Sequence, residues 1–526
     1  MPTTTVRLHG ALQLLLVLCT AACVSWSDTK REIVTPLNRL VHSDYPAAIA
    51  SGDAAQLTPL FAPELAEWAE RDAREVTGSF SRLDRSRCVI FDTAPPDRTG
   101  AVRAECVLRL DGLVDGEPVT WEQDRVITAK PQDGQWRIVA VEPGHTVRVS
   151  GGPVFAEESA ARKLVARNRS RGTPDRNGGR QVYMGSAGIA VGDVDGDLDD
   201  DLLLVSGDRL SLFVNDGGVF EDVTASSGIT TPETGECRCA YFADVDNDGD
   251  QDLFVAVMLG ENALFVNEGE RRFRRVEASE SGLVTTHGQT SSACFGDFDR
   301  DGDLDLVLAN GNNVYTTEPK PVRNARNGYA DQYFRNRGDG TFVDATREVG
   351  IGATGWALAC SVTDYDRDGD LDLYIGNDLG RDVFYENRGD GTFDEVASRA
   401  GLVYPGASMS TDFGDLNGDG WPDLYVSGMA SNSRWILRQP GYPAPAPFPV
   451  DVLFRPWVLD VMWQMFHGNR LYLNNQDGTF REVSKEARCD WLGWAWTSLF
   501  LDYDNDGLLD IYCANGFLTG EKKDDC

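Results

Sequence analysis

Residues that most often carry catalysis are scarce in this sequence. Its 526 residues include five His (His9, His42, His145, His287 and His467), none in an H-x-H or H-E-x-x-H pattern. No G-x-S-x-G elbow, P-loop or C-x-x-C pair occurs. These absences exclude the common serine-hydrolase, nucleotide-phosphate, thioredoxin-like and zinc-knuckle arrangements, each of which needs its residues at fixed spacing. Basic residues are few as well: 49 Lys and Arg face 83 Asp and Glu, a formal net charge of -34. Phosphate backbones are held by clustered Lys and Arg, so nucleic acid is excluded as a partner. Adsorption to anionic lipid is opposed by the same repulsion. Beyond the N-terminal segment no apolar run reaches the roughly 18 residues of a membrane helix.

Residues 1–27 read as an export signal. Arg7 and His9 precede the apolar run Ala11–Leu18, which is too short to span a bilayer and gives way to Cys19-Thr-Ala-Ala-Cys23. Thr20-Ala-Ala-Cys23 resembles a bacterial lipobox, which makes Cys23 the candidate lipid-anchor residue, with simple cleavage as the alternative. That anchor is the one membrane contact expected. Residues 28–150 differ in character from the rest. Helical stretches at Val34–Ser51 and Asp53–Arg74 are followed by strand-like runs at Arg87–Phe91, Ala101–Leu110, Pro118–Thr128 and Gln135–Val141. Helices first and a sheet afterwards predict a small α+β domain, and the order resembles the nuclear-transport-factor-like cone. Cys88 and Cys106 fall on neighbouring predicted strands, placed to pair in an exported protein. The basic, Gly-containing stretch 151–180 reads as a linker.

The remainder, 181–526, is repetitive, and the repetition decides the fold. A loop recurs at Asp193-Val-Asp195-Gly-Asp197, Asp244-Val-Asp246-Asn-Asp248, Asp297-Phe-Asp299-Arg-Asp301, Asp364-Tyr-Asp366-Arg-Asp368, Asp415-Leu-Asn417-Gly-Asp419 and Asp502-Tyr-Asp504-Asn-Asp506. Each reaches a further Asp at its ninth position (Asp201, Asp252, Asp305, Asp372, Asp423 and Asp510) and then enters an apolar, β-rich run. Such runs read as strands buried on both faces. Between the loops stand hairpin signatures, near copies at Asn336–Phe342, Asn387–Phe393 and Asn475–Phe480, with looser versions at Asn215–Phe220 and Asn267–Phe273. First-Asp spacings of 51, 53, 67, 51 and 87 residues fit four-stranded units with insertions near 311–331 and 431–468. Four-stranded sheets that bury their faces only against neighbours close into a propeller.

The loop chemistry points to a hard cation. Carboxylates at positions 1, 3 and 5 of a tight turn, a Gly at position 6 and a fourth carboxylate at position 9 form an oxygen cage, which selects calcium over zinc or copper. The candidate ligands are the aspartates named above, with Asn417 as a neutral oxygen donor in the fifth loop. The first loop carries Leu198 where Gly is usual. An EF-hand begins alike but needs an acidic residue at position 12, where this chain has Leu204, Val255, Leu308, Ile375, Val426 and Cys513. With Phe295-Gly296-Asp297 and Phe413-Gly414-Asp415 ahead of two loops, residues 186–515 resemble FG-GAP/VCBS repeats, the units of the integrin α-subunit propeller. The run Asn377–Asn387, with its paired loop and hairpin motifs, is similar to bacterial propellers of the ASPIC/UnbV type. The resemblance implies calcium at the positions already given.

The insertion at 431–468 holds Trp435, Tyr442, Trp457 and Trp463, read either as a packed cap or as an aromatic platform for glycan or protein. The sequence therefore predicts a mainly β protein: a calcium-loop β-propeller of six to seven blades preceded by a small α+β domain. The expected function is a non-catalytic binding, adhesion or scaffold module outside the cytoplasm, with protein or glycan as ligand. The alternative is a polysaccharide-active hydrolase or lyase working on the propeller face, where carboxylate pairs abound.

Overall fold

The computed structural model describes residues 39–150 and 187–515, apart from 52, 79, 94–96, 98, 286–288, 313–316, 318, 322–323, 403–406, 429–467, 491–494 and 504–505, and also 159, 161–164, 173–174 and 180–181. The export segment with Cys23, the platform residues Trp435, Tyr442, Trp457 and Trp463, and Asp504 lie outside the described residues. The chain divides into two compact units, Met1–Glu157 and Glu158–Cys526. No helix among the described residues is long and apolar enough to cross a membrane.

In the first unit short helical turns lead to one antiparallel sheet of β1 (Arg82–Thr93), β2 (Val102–Val114), β3 (Glu117–Gln132) and β4 (Gln135–Ser150), paired in chain order. The helical stretch read as continuous over Asp53–Arg74 is broken. A helix at Ala54–Leu57 gives way to 3-10 turns at Thr58–Leu60 and Pro63–Leu65 before the helix Ala66–Thr77 begins. Pro59 and Pro63 cause the breaks, since each lacks an N–H and restricts the residue before it. Ala69, Ala73 and Val76 then face the core at helical spacing. The strands outrun their sequence expectations because pairing with neighbours carries polar ends that have weak strand propensity of their own. Inside this core lies a buried ion cluster: the Arg125 guanidinium donates to Asp72 at 2.5 and 3.0 Å and to the Tyr45 hydroxyl. Cys88 and Cys106 are both buried on β1 and β2, and hydrogen bonding between their side chains, then burial, pushes the Cys88 thiol well above its usual pKa.

In the second unit the two-residue strands β5 (Thr173–Pro174) and β6 (Arg180–Gln181) pair with each other. Consecutive four-stranded antiparallel sheets follow. They are β7–β10 (Ala187–Gly192, Asp201–Ser206, Arg209–Asp216, Val219–Asp222), β11–β14 (Glu236–Ala243, Asp252–Met258, Ala263–Asn267, Phe273–Val276) and β15–β18 (Thr290–Gly296, Asp305–Asn310, Gln332–Asn336, Phe342–Asp344). Next come β19–β22 (Ala357–Thr363, Asp372–Asn377, Val383–Asn387, Phe393–Glu395) and β23–β26 (Ser408–Gly414, Asp423–Gly428, Arg470–Asn474, Phe480–Glu482). A two-stranded sheet of β27 (Ala495–Leu501) and β28 (Asp510–Asn515) ends the described series. The first strands of successive sheets lie side by side from β7 to β27.

The second strand of most sheets is buried along its whole length, as the apolar runs predict. Alternate residues serve opposite interfaces. In β12, Leu253, Val255 and Val257 pack toward the first sheet with Leu203 and Leu212, whereas Phe254 and Ala256 pack toward the third with Leu306, Leu308 and Phe334. The same division recurs for Tyr333 and Tyr385 between the third and fourth sheets, and for Phe384 and Tyr472 between the fourth and fifth. The core is thus a series of slabs between sheets, each contributing roughly 1.5–3 kcal/mol per large apolar side chain buried.

Candidate metal centre

Each aspartate loop joins the first strand of a sheet to the second, and its own side chains shape it. The position-1 carboxylate gathers the backbone N–H groups of the turn: Asp364 accepts from Asp368 and Gly369 at 3.0 and 3.1 Å, and Asp415 from Asp419 and Gly420 at 2.9 and 2.8 Å. Asp502 does the same with Asp506 and Gly507, and Asp193 with Gly196, Asp197 and Leu198. Positive φ falls at positions 4 and 6, as at Arg300 (60°) and Gly302 (95°), and Gly suits the latter because it has no Cβ to clash. In the first loop Leu198 takes that conformation at 72°, with its side chain 91% exposed.

This turn brings carboxylates together. Asp193, Asp195 and Asp197 each offer an oxygen within 4.8 Å of the others, and so do Asp244, Asp246 and Asp248; Asp297, Asp299 and Asp301; and Asp364, Asp366 and Asp372. One oxygen on each of Asp195, Asp244, Asp246, Asp297, Asp299 and Asp366 is buried without a hydrogen-bond partner. A buried acceptor left unpartnered is costly, and adjacent like charges add to the cost. An oxygen-seeking cation removes both terms, so these residues fit a metal ion. In the fifth loop the donors are engaged within the protein. Asn417 Oδ1 accepts the Asp419 N–H at 2.9 Å, and Asp419 accepts from the Trp421 N–H at 2.9 Å and from Gln476 Nε2 at 3.1 Å.

The position-9 aspartates face two ways. Asp252 accepts the Val245 N–H of its own loop at 3.0 Å and the Asn267 N–H of the third strand at 2.8 Å. Asp201, Asp372 and Asp423 repeat both bonds, and Asp305 accepts from Asn336 N–H and the Tyr333 hydroxyl. Each therefore ties its loop, or the loop's exit strand, to the hairpin of the same sheet. Among the described residues, Asp372 is the position-9 aspartate that also stands within the convergent groups above.

The family described as FG-GAP-like repeat matches residues 193–255, 244–308, 322–375, 364–426 and 458–513. The chain belongs to the FG-GAP-like repeat family. Proteins named cartilage acidic protein 1 are similar to it: that of Xenopus tropicalis is 29% identical over 207 residues, covering 38% of this chain and 30% of the relative. The human protein is 27% identical over 204 residues, covering 38% and 29%. The matched stretch thus spans less than a third of the length of either relative. Among solved structures, an Agrocybe aegerita lectin described as recognising non-reducing terminal N-acetylglucosamine is 17% identical, with a TM-score of 0.35 over 73% of this chain and 81% of that one. The V. cholerae biofilm matrix protein Bap1 is 16% identical, with a TM-score of 0.28 over 51% and 38%. Scores this low say nothing of function.

Electrostatics in the FG-GAP loops follow from the crowding. Burial first, then neighbouring carboxylates, raises the pKa of Asp246, Asp299 and Asp366. Burial pushes Asp252, Asp305 and Asp423 up to about 6 and Asp372 to about 8, against the lowering effect of their backbone hydrogen bonds. A metal entering these loops therefore competes with protons for the carboxylates.

Two features of the FG-GAP repeat escape a reading by spacing. The hairpin Asn reaches back to the previous sheet's loop: Asn267 Nδ2 donates to the Val194 carbonyl at 3.0 Å, and Asn336, Asn387 and Asn474 donate to the carbonyls of Val245, Phe298 and Tyr365 at 2.8 Å. In addition, position 4 of one loop touches position 7 of the next. Asn247 donates to Asp303 at 2.7 Å, Arg300 pairs with Asp370 at 3.2 Å, and Arg367 lies 5.6 Å from the Trp421 ring. The recurring Asn in the hairpin motif was the available signal for the first. Nothing local signals the second.

Proposed function

We propose that this chain is an exported, calcium-stabilised propeller that works as a non-catalytic binding or scaffold module for a protein or glycan. The observation that carries the calcium reading is the set of buried, unpartnered carboxylate oxygens in the first four FG-GAP loops. Calcium supplies the positive charge those oxygens lack. Asp193, Asp195, Asp197 and their counterparts hold it with the position-9 aspartates, which together with the hairpin asparagines also keep the loops in place. With the charge balanced, each loop fastens two strands of one sheet to the hairpin of the next. Export rests on the N-terminal apolar segment, and a lipid at Cys23 would tether the module to a membrane. Residues 28–150 form a module of their own, joined through 151–180. The 431–468 insertion, with Trp435, Tyr442, Trp457 and Trp463, supplies the ligand platform.

The deciding experiment is a thermal melt of residues 28–526 in chelator and in millimolar calcium, with bound metal counted by elemental analysis. Several ions per chain and a calcium-dependent rise in Tm are expected. No bound metal and no shift overturn the calcium reading. Binding to glycan and protein arrays, compared between the parent and a variant lacking 431–468, tests the platform; equal binding by both overturns it.

A further inference from the structure

We propose that Asp370 is a metal ligand of the fourth FG-GAP loop and makes that loop the tightest-binding site of the chain; the inference rests on the calcium reading above. Position 7 of the loop is also aspartate in the first three, at Asp199, Asp250 and Asp303. There it is engaged elsewhere or open to water. Asp199 accepts the Gly217 N–H at 2.8 Å, Asp303 accepts Asn247 Nδ2 at 2.7 Å, and Asp250 is exposed. Asp370 is instead only 3% exposed. Its Oδ2 takes the Arg300 guanidinium at 3.2 Å, and its buried Oδ1 takes no hydrogen bond from a donor, the Asp368 carboxyl standing beside the group. The hairpin covers it: Gly389, at φ 80°, passes so close that a Cβ there would stand 3.2 Å from Asp370 Oδ2.

The surroundings of Asp370 are the loop's own ligands. Asp366 and Asp368 act electrostatically on Asp370, and Asp370 acts on Asp372. Asp364, Asp366 and Asp372 already converge within 4.8 Å. In the fourth loop Asp368 and Asp370 stand beside the convergent group of Asp364, Asp366 and Asp372, and hairpin packing holds the Asp370 carboxylate still. Affinity for a hard cation rises with the charge and rigidity of its oxygen ligands. Arg300 bonds to the opposite oxygen and to the Gly389 carbonyl at 3.2 Å, so it does not occupy Oδ1, and the hairpin rather than Arg300 holds the carboxylate in place.

Calcium titration of the decalcified protein by isothermal calorimetry tests this, with ions counted by native mass spectrometry. Asp364→Asn identifies the fourth loop's step by removing it. Asp370→Asn is expected to weaken the first, tightest step by about tenfold or more, leaving later steps unchanged. Arg300→Gln is expected to leave that step in place. A first step unchanged in Asp370→Asn, or weakened equally in Arg300→Gln, overturns the assignment, the latter result reducing Asp370 to an anchor for Arg300. A melt in chelator, in which Asp370→Asn should be no less stable than the parent, separates ligand loss from misfolding. If the parent takes up no calcium, the underlying reading fails; if it does and Asp370→Asn matches it, this inference alone fails.

Discussion

The Asn336 side chain donates to the Val245 carbonyl at 2.8 Å and to the Leu304 carbonyl at 3.1 Å, so a residue of the third sheet satisfies the loop of the second. Its own Oδ1 accepts the Gly338 N–H at 3.1 Å, closing the hairpin. Truncation strands these groups in a buried seam. Asn336→Ala is expected to lower the unfolding free energy by ~2–4 kcal/mol, measured by urea denaturation. Asn336→Asp should lose as much, because a carboxylate cannot donate to carbonyls. An unchanged midpoint would show that water replaces the bonds.

Loop carboxylates should behave oppositely with and without metal. Asp246→Asn removes one charge from a crowded group whose Oδ1 has no partner. In chelator the variant should melt at or above the parent temperature. In calcium the parent should gain more, since each site filled at a hundredfold excess over its Kd adds about 2.7 kcal/mol. Scanning calorimetry at matched free calcium gives the comparison, and a variant that gains as much as the parent counts against metal at Asp246.

Asp331 provides a pH test away from the loops. At the corresponding place in the next sheet, Asp382 Oδ2 accepts the hydroxyls of Ser408 and Tyr374 at 2.7 and 2.8 Å. Asp331 Oδ1 takes the Asn310 N–H at 2.9 Å, but Ala357 stands where Ser408 would, and its Oδ2 is buried without a partner. Burial pushes its pKa from 3.8 up to about 8. Its titratable neighbours Cys360 and Tyr385 are themselves raised and stay neutral across that range. A carboxyl that binds its proton more tightly when folded stabilises the fold as pH drops from about 8 toward 4, and that contribution is lost on the way up. Asp331→Asn should flatten this dependence and be the more stable protein at pH above that window. Equal slopes for parent and variant in denaturation between acidic and alkaline pH would show that Asp331 ionises without cost.

In the first unit, Arg125→Ala leaves the Asp72 carboxylate facing an apolar core. A loss of ~3–5 kcal/mol is expected for breaking a buried pair from one side. Arg125→Met combined with Asp72→Leu should recover most of it. Tryptophan fluorescence on denaturation reports the unit through Trp68, Trp121 and Trp136, which pack against this core. A double variant no better than the single would show that the ion cluster is itself required.

The loops were legible because convergence of carboxylates fixes both residue type and interval: Asp297, Asp299 and Asp301 cannot drift by one position and still converge. The second strands were legible because burial on both faces leaves no room for polar alternation, as in β16 and β20. The partners of the position-9 aspartates were not. From spacing alone a carboxylate turned toward a cation looks the same as one turned toward the amides of Val245 and Asn267. Nor could spacing connect Asn387 with the Phe298 carbonyl, because the link joins two sheets across 89 positions. The Arg125 cluster had a weaker signal, a charged residue in register with Ile127 and Ala129 on the buried face of β3. Its partners Tyr45 and Asp72 are dispersed through helical segments with no motif to mark them.

Because the hairpin asparagines Asn267, Asn336, Asn387 and Asn474 reach backward to the preceding loop, none of the first four loops is complete when its own sheet is complete. On a ribosome the chain emerges N-terminus first, so the loop at Asp244–Asp252 waits for Asn336, and that at Asp297–Asp305 waits for Asn387. Maturation of these loops therefore runs one sheet behind synthesis. A nascent chain cut after any of the first four sheets ends with a loop carbonyl that still lacks its donor.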